Sequence, residues 1–334
     1  MCELLEFRVV VLKRGLKIKV SVVGAGFCGL ALSWYLLEKG FSVTLYEKKE
    51  IGAGASGIAS GLLHPYPGEG LKRSLKTDEA LREAKNLLAI AQEFSDEVIA
   101  DFSGLIRQVT PEQFEILAKQ ALAYGDVEPI SDNFFLIKSG IAVYSNRYLE
   151  GLYKACLSKG LTFCIKQINS FRDLEGYDLS FLALGGGVFT FPKVPLKRLS
   201  PVKGQALVCQ WPSHFPALER VLLAKGHIVP LEEGSVYLGS TYERGILDES
   251  TSLENTLLAL SPLAKELVPN WEEIVPKKVY AGIRVACLGH YFPVFHKIEE
   301  NVWVLTGMGS RGLLYHAYMA KQVIEAALLD LSKT

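Results

Sequence analysis

The apolar pattern changes period several times along the chain. Lys17–Val23 (KIKVSVV) is β-branched and stops at Gly24, which predicts a buried strand. Phe27–Lys39 is apolar almost all round, the signature of a helix buried on every side, and Gly40 is placed as its C-terminal cap. Phe41–Tyr46 alternates apolar and polar side chains as a second strand, with Glu47 at its end. Strand, helix and strand within roughly 30 residues make a βαβ unit. Amphipathic helices are predicted at Asp78–Phe102 and Pro111–Tyr124, and a further helix at Leu253–Leu267, stopping before Pro269. The last helix, Leu313–Leu331, carries an apolar face along Leu314, Ala317, Ala320, Ile324 and Ala327. Val20–Leu37 runs 18 residues without a charge, which touches the lower bound for a membrane span. Gly24, Gly26 and Gly29 break its first half and a second apolar strand follows at once, so no membrane anchor is expected.

Composition narrows the picture. The chain has 334 residues, 36 Lys+Arg against 36 Asp+Glu, and a formal net charge of zero. A built-in nucleic-acid clamp would need an excess of positive charge. At about 150 residues per domain the length suggests two domains. Six cysteines (Cys2, Cys28, Cys156, Cys164, Cys209, Cys287) stand at scattered spacings with no CxxC pair, which points to a reduced, cytoplasmic compartment. Residues 1–16 read as an N-terminal extension whose apolar run is too broken for a secretory signal. No metal-ligand spacing and no GxSxG nucleophile turn occurs.

Chemistry enters between the first strand and the first helix. Gly24-Ala25-Gly26-Phe27-Cys28-Gly29 is a GxGxxG sequence in register with a strand before it, a buried helix after it and an acid at the end of the next strand. Gly24 permits the tight turn, Gly26 lets backbone approach a pyrophosphate, and Gly29 lets helix and strand pack closely. The helix N-terminus offers N–H groups and a positive dipole end to phosphates. Glu47, with Lys48 beside it, is placed to accept hydrogen bonds from a ribose diol, which disfavours NADP and leaves NAD and FAD open. Ile51–Gly70 then carries six glycines in 20 residues, suggesting backbone wrapped closely around a larger cofactor.

The segment GAGASGIASGLLHPY resembles the second FAD segment of the D-amino-acid oxidase superfamily, the group that includes glycine oxidase, sarcosine oxidase and D-amino-acid dehydrogenase. Further segments resemble that family in order: Tyr148–Gly160, similar to the helix that precedes the family's third cofactor segment, Tyr177–Gly187 (YDLSFLALGGG), Pro201–Gln205 (PVKGQ), His227–Glu243, Tyr280–Arg284 (YAGIR) and Gly307–Gly312 (GMGSRG). Two segments, GASGIASGLLHPY and GMGSRGLL, are similar to the FAD domain of the bifunctional bacterial enzymes that complete 5-methylaminomethyl-2-thiouridine at the tRNA wobble position. None of these 334 residues is expected to form the companion methyltransferase domain of those enzymes.

The resemblance implies an α/β fold of the glutathione-reductase type: a Rossmann-type FAD-binding domain joined to a second, mixed β-sheet substrate domain. The FAD domain is expected from residues 17–70, 140–200 and 281–334, the substrate domain from 71–139 and 201–280. It implies an FAD-dependent oxidoreductase that oxidises the C–N bond of a carboxylate-bearing amine by hydride transfer to flavin N5. The substrate would be a free amino acid such as glycine, sarcosine or a D-amino acid, or the carboxymethylaminomethyl group of a tRNA wobble uridine. The tRNA reading implies a separate methyltransferase partner. A flavin-binding scaffold without turnover and a nicotinamide-dependent dehydrogenase are the competing classes. Oligomeric state is left open.

Site residues follow from the same match. Cofactor contacts are expected from Gly24, Gly26, Gly29, Glu47, Lys48, Ala55, Ser56, Gly61, Leu62, Gly185, Gly309, Ser310, Arg311, Gly312 and Leu313. Arg284, in the YAGIR segment, is expected to grip the substrate carboxylate, because a guanidinium fork makes two parallel hydrogen bonds to it. The alternative is a structural salt bridge. Arg311 is expected as a second carboxylate or flavin contact, or as a helix-start ion pair. His64 either faces the flavin and the amine or closes the turn before Pro65. Tyr242 and Thr241 line the substrate side or belong to the core, and His290, Tyr315 and His316 are weaker candidates. Where the family continues with proline and then aspartate after this arginine, Val285 and Gly289 stand here. Gly282 occupies the place of the cysteine that bonds flavin in sarcosine oxidases, so FAD is expected to be held non-covalently.

Overall fold

In the computed structural model, which describes residues 17–333, two large sheets share the work. The first has six strands in the order Val294–Glu299, Val302–Thr306, Leu179–Leu182, Lys19–Val23, Ser42–Glu47, Thr162–Ile165. All neighbours are parallel except the edge pair Val294–Glu299 and Val302–Thr306. Its central strand, Lys19–Val23, is buried along all but its first residue, as parallel strands covered on both faces require. Helix Phe27–Glu38 is apolar all round for a reason visible here: it lies against the sheet and also under helices Ser145–Ser158 and Gly312–Leu331. Leu314, Ala317, Ala320, Ile324 and Ala327 of that last helix are all buried in the same core. On the opposite face Leu182, Val188, Val285 and Val304 form a second cluster.

The second sheet has nine strands and is mixed. Its ordered path runs Glu243–Arg244, Leu199–Gln210, Ser235–Gly239, His227–Pro230, Leu222–Leu223, Leu105–Gln108, Phe134–Ile137, Val127–Ser131, while Val275–Cys287 pairs with Leu199–Gln210 off this path. Helix Leu253–Leu267 covers one face through Leu260 and Ala264, packed on Leu207, Ile228 and Leu238. Helix Pro111–Tyr124 contributes Leu117 to another cluster, with Phe135 and Val229. A three-stranded sheet of Leu62–Leu63, Ile141–Val143 and Ala100–Asp101 completes the frame.

Helices Pro111–Tyr124 and Leu253–Leu267 have the limits expected from sequence. Thr110 caps the first in a capping box with Gln113, and Ser252 Oγ accepts from Asn255 N–H at the second. The helix expected over Asp78–Phe102 instead spans Thr77–Glu93. The side chain of Gln92 donates to Ser95 O and Glu97 O and accepts from Ile99 N–H, and Ser95 Oγ donates to Glu97 O. Such local side-chain bonds offer backbone an alternative to the helix, and Ala100–Asp101 then pairs as a strand with Ile141–Val143. The helix expected from Tyr148 begins a turn earlier, at Ser145, whose Oγ donates to Ala59 O at 3.1 Å. Residues 1–16, read as an extension, lie outside the described residues. Among those described, no helix is long and apolar enough to cross a membrane.

Candidate active site

The carboxyl ends of the parallel strands open onto one cavity of about 930 Å³, at the upper end of the range for small-molecule sites. At one end stands the first glycine turn. Gly24 has φ +102°, and a Cβ there would lie 2.4 Å from Ala183 O, so only glycine fits. Gly24 N–H donates to Tyr46 O at 2.7 Å, tying the turn to the second strand. A Cβ on Gly29 would stand 1.7 Å from Gly24 O, which makes that residue the packing glycine of the three. Gly29 does not line the cavity; Gly24 and Gly26 do. Glu47 lines it from the second strand, its carboxylate accepting from Ala25 N–H at 2.9 Å and Lys49 N–H at 3.1 Å. Ser56 reaches back to accept from Phe27 N–H at 3.2 Å, so the wrapping segment is fastened to the helix start.

Lys48, Ala55, Gly61, Leu62 and Gly185 line the cavity farther along, and Gly309 to Leu313 lead into the last helix. The structure therefore gathers every expected cofactor residue at one surface except Gly29, which acts from beneath. A glycine turn that no Cβ could enter, a helix start above it and an acid at the strand end together fit a dinucleotide.

Three arginines, Arg107, Arg284 and Arg311, also line the cavity, as do Glu69, Asp248 and Glu249. Arg284 projects from strand Val275–Cys287, its Nη2–H donating to Thr241 O at 2.7 Å and Nη1–H to Ser240 Oγ at 3.3 Å. Its Nε is buried without a partner. Gly204 makes room for it, since a Cβ there would be 2.5 Å from Nη2. Arg311 caps the last helix and stacks over Tyr291, 4.8 Å from the ring centre. Among the described residues neither guanidinium has an ion-pair partner, so the salt bridges considered from sequence do not form there. Burial lowers the pKa of both.

His64 also lines the cavity, half-buried, with its Nδ1 buried and unpartnered. Burial, and then the charges of Arg107, His227 and Arg311, push its pKa down to about 3. It is a neutral imidazole at working pH. Tyr242, 44% exposed, lines the cavity with the guanidiniums of Arg284 and Arg244 each 5.1 Å from its ring centre. Thr241 supplies the carbonyl that anchors Arg284 while its hydroxyl donates to Glu243 at 2.6 Å. His316 is core, its ring 2.5 Å from Tyr148 Oη, and Tyr315 Oη donates to Leu75 O at 2.7 Å.

Many of the lining residues were not expected from sequence, and Arg107 and His227 are two whose chemistry bears on the site. Arg107 is 5% exposed, with Nε unpartnered and burial pushing its pKa down to about 10. His227 stacks on Tyr237 with ring centres 6.3 Å apart, its Nε2 unpartnered, and burial followed by the charge of Arg284 pushes its pKa down to about 3. A signal for Arg107 was present: it stands two residues after the buried Leu105 in strand Leu105–Gln108 and two before the buried Val109, so alternation places the arginine on the inward face.

Fold and cavity together define a dinucleotide-binding protein: a doubly wound sheet with its glycine turn at one end of the site and an arginine-bearing pocket at the other. The comparisons with known proteins agree. The chain belongs to the FAD dependent oxidoreductase (DAO) family, whose pattern it matches over residues 19–326. It is 25% identical over 316 residues to the tRNA 5-methylaminomethyl-2-thiouridine biosynthesis bifunctional protein of Campylobacter jejuni (strain RM1221), covering 86% of this chain and 49% of that protein. It is 27% identical over 340 residues to a glycine oxidase of Pseudomonas aeruginosa, covering 89% and 91% of the two chains. The chain thus spans about half the length of the bifunctional relatives and nearly all of the glycine oxidase. The fold is that of glycine oxidase from Geobacillus kaustophilus, with a TM-score of 0.77, 22% identity and coverage of 93% and 95%.

Proposed function

We propose that this FAD-dependent oxidoreductase oxidises the C–N bond of an N-substituted glycine, the group shared by sarcosine-like amino acids and a carboxymethylaminomethyl nucleoside. The observation that carries the reading is Arg284: a half-buried guanidinium, its Nε buried and unpartnered, with no carboxylate partner among the described residues and lining the cavity that holds the dinucleotide cradle. Gly24, Gly26, Glu47 and Ser56 would hold the cofactor's ribose and pyrophosphate, and the segment from Gly309 to Leu313 its ring. When bound, FAD supplies the hydride acceptor, the one hard step of the reaction.

The protein's own residues bind and orient. Arg284 and Arg311 take the substrate carboxylate, and His64 stays neutral beside the amine. Oxidation needs the amine unprotonated, and the surrounding guanidiniums lower its pKa by disfavouring a second positive charge. No carboxylate base is required for this. Positioning and charge then account for catalysis. Residues 17–70, 140–200 and 281–334 are assigned to the FAD-binding part and 71–139 and 201–280 to the substrate part. The bifunctional relatives favour a tRNA-borne amine, with a methyltransferase partner supplied separately. The full-length glycine oxidase match favours a free one. Among the lining residues Cys28 is the only cysteine, and burial pushes its thiol up to about 12, which supports a dissociable cofactor.

The test is anaerobic. Purified protein should be yellow, or become so with FAD, and its absorbance should bleach with sarcosine or carboxymethylaminomethyl-uridine. Comparing glycine, D-alanine and D-proline ranks free amino acids against the nucleoside. A flavin that none of these amines reduces leaves a non-catalytic scaffold and overturns the proposal.

A further inference from the structure

We infer that Arg107, with His64 and His227, forms a second oxyanion subsite in the same cavity, so that the substrate is an amine with a carboxylate at Arg284 and a second oxyanion at the end of its other arm. This deepens the reading above and rests on it. Arg107 is 5% exposed, yet its only hydrogen bond among the described residues is a long one, Nη2–H to Gly68 O at 3.4 Å. Its Nε has no partner. Glu69 acts on it through space and forms no ion pair with it among the described residues. Burying a guanidinium without a counter-charge is strongly unfavourable, and a ligand that brings the charge removes the penalty.

Sheet register supplies the geometry. Arg107 stands opposite Leu223, Leu223 opposite His227, and His227 opposite Gly239. Residues in one transverse row share a face, so Arg107 and His227 point into the cavity two strand spacings apart, roughly 10 Å. Gly239 leads directly to Ser240, whose hydroxyl accepts from Arg284. Arg107 and the Arg284 guanidinium therefore sit at opposite ends of one wall. Between them lie the buried, unpartnered Nδ1 of His64 and Nε2 of His227. Each neutral imidazole has one N–H to give. A substrate reaching both ends needs an arm of several bonds, which a free glycine lacks. The oxyanion is a carboxylate or a phosphate ester.

The experiment uses the FAD-loaded protein and thioethers in which sulfur replaces the amine nitrogen, so that binding is read without turnover. Alkylthioacetates, (carboxyalkylthio)acetates and (phosphooxyalkylthio)acetates of increasing arm length are titrated by calorimetry. At one arm length an anionic arm should bind at least tenfold tighter than the neutral arm, the gain expected of a charge-assisted hydrogen bond. Whichever anion shows the gain identifies the group. Arg107→Met should bring the ratio to within about twofold of one. It should also raise the melting temperature of the ligand-free protein, because an uncompensated buried charge is gone. Absence of any anionic preference while neutral arms bind overturns the subsite and leaves the amine reading standing. A preference that survives in Arg107→Met, or a lowered melting temperature in that variant, assigns the guanidinium to the scaffold and also overturns it. If even neutral-arm ligands fail to bind and amines fail to reduce the flavin, the reading beneath it falls instead.

Discussion

Replacing Arg284 with glutamine removes the fork on which the proposed chemistry depends. Its guanidinium is fixed from below by Thr241 O at 2.7 Å and Ser240 Oγ at 3.3 Å, which orients the remaining donors towards the cavity. A substrate carboxylate taking two charge-assisted hydrogen bonds there, at about 1.5–3 kcal/mol each, is held by about 3–6 kcal/mol. That corresponds to a loss of about 10²–10⁴ in affinity for carboxylated amines in Arg284→Gln. Arg284→Lys keeps the charge but presents a single point, so it should recover only part of the loss. The assay is anaerobic titration of FAD-loaded protein with sarcosine, taking the dissociation constant from the concentration dependence of flavin bleaching, with FAD content measured alongside. Unchanged affinity in Arg284→Gln would refute the assignment. A lysine variant as good as wild type would refute the fork.

Gly29→Ala should lower both melting temperature and FAD content although Gly29 touches no cavity, because its Cβ would stand 1.7 Å from Gly24 O; overpacking of this kind costs about 1–3 kcal/mol or more, and a variant that melts and loads like wild type sinks the packing account. Acid should destabilise the protein through its buried histidines. His64 and His227 are pushed down to about 3 and His316 to about 4, by burial first in each case. Below the unfolded value of 6.5 the unfolded chain binds protons that the native state refuses, so stability is lost as pH falls from there towards the folded values. The slope is about 1.4 kcal/mol per pH unit for each histidine. Urea unfolding at pH 6.5 and pH 5 should show about 2 kcal/mol less of this loss in His316→Gln, and an unaltered slope would remove His316 from the account.

Much of the fold was legible because its local and long-range signals agree. The helix Phe27–Glu38 shows apolar residues on every side, and it is buried on every side. Pro111–Tyr124 carries its cap, its N1 proline and its closing Gly125 in sequence. Asp78–Phe102 was read too long because residues 94–102 contain no proline or glycine to stop a helix. What stops it is a set of side-chain bonds from Gln92 and Ser95, with the pairing of Ala100–Asp101 to a strand 40 residues later. Pairing partners so far apart leave no local mark. For the same reason the order of the nine-stranded sheet could not be read along the chain.

The cofactor cradle was legible because it is local: turn, helix start and strand-end acid lie within one βαβ unit. The substrate end is built otherwise. Arg107, His227, Arg284 and Arg311 come from four distant segments, and only register and crossing connections bring them to one wall. This also changes the meaning of the zero net charge. Neutrality of the whole chain says nothing about a cavity in which three guanidiniums lack carboxylate partners among the described residues. Elsewhere other basic side chains do find acids, as Arg73 does with Asp78 and Asp126, or Lys159 with Glu38. Glu47, Glu69, Asp248 and Glu249 also line the cavity, yet none of them forms an ion pair with Arg107, Arg284 or Arg311 among the described residues. On the proposed reading an anionic substrate would supply the counter-charge that these three guanidiniums lack, and a neutral amine of the same shape would not.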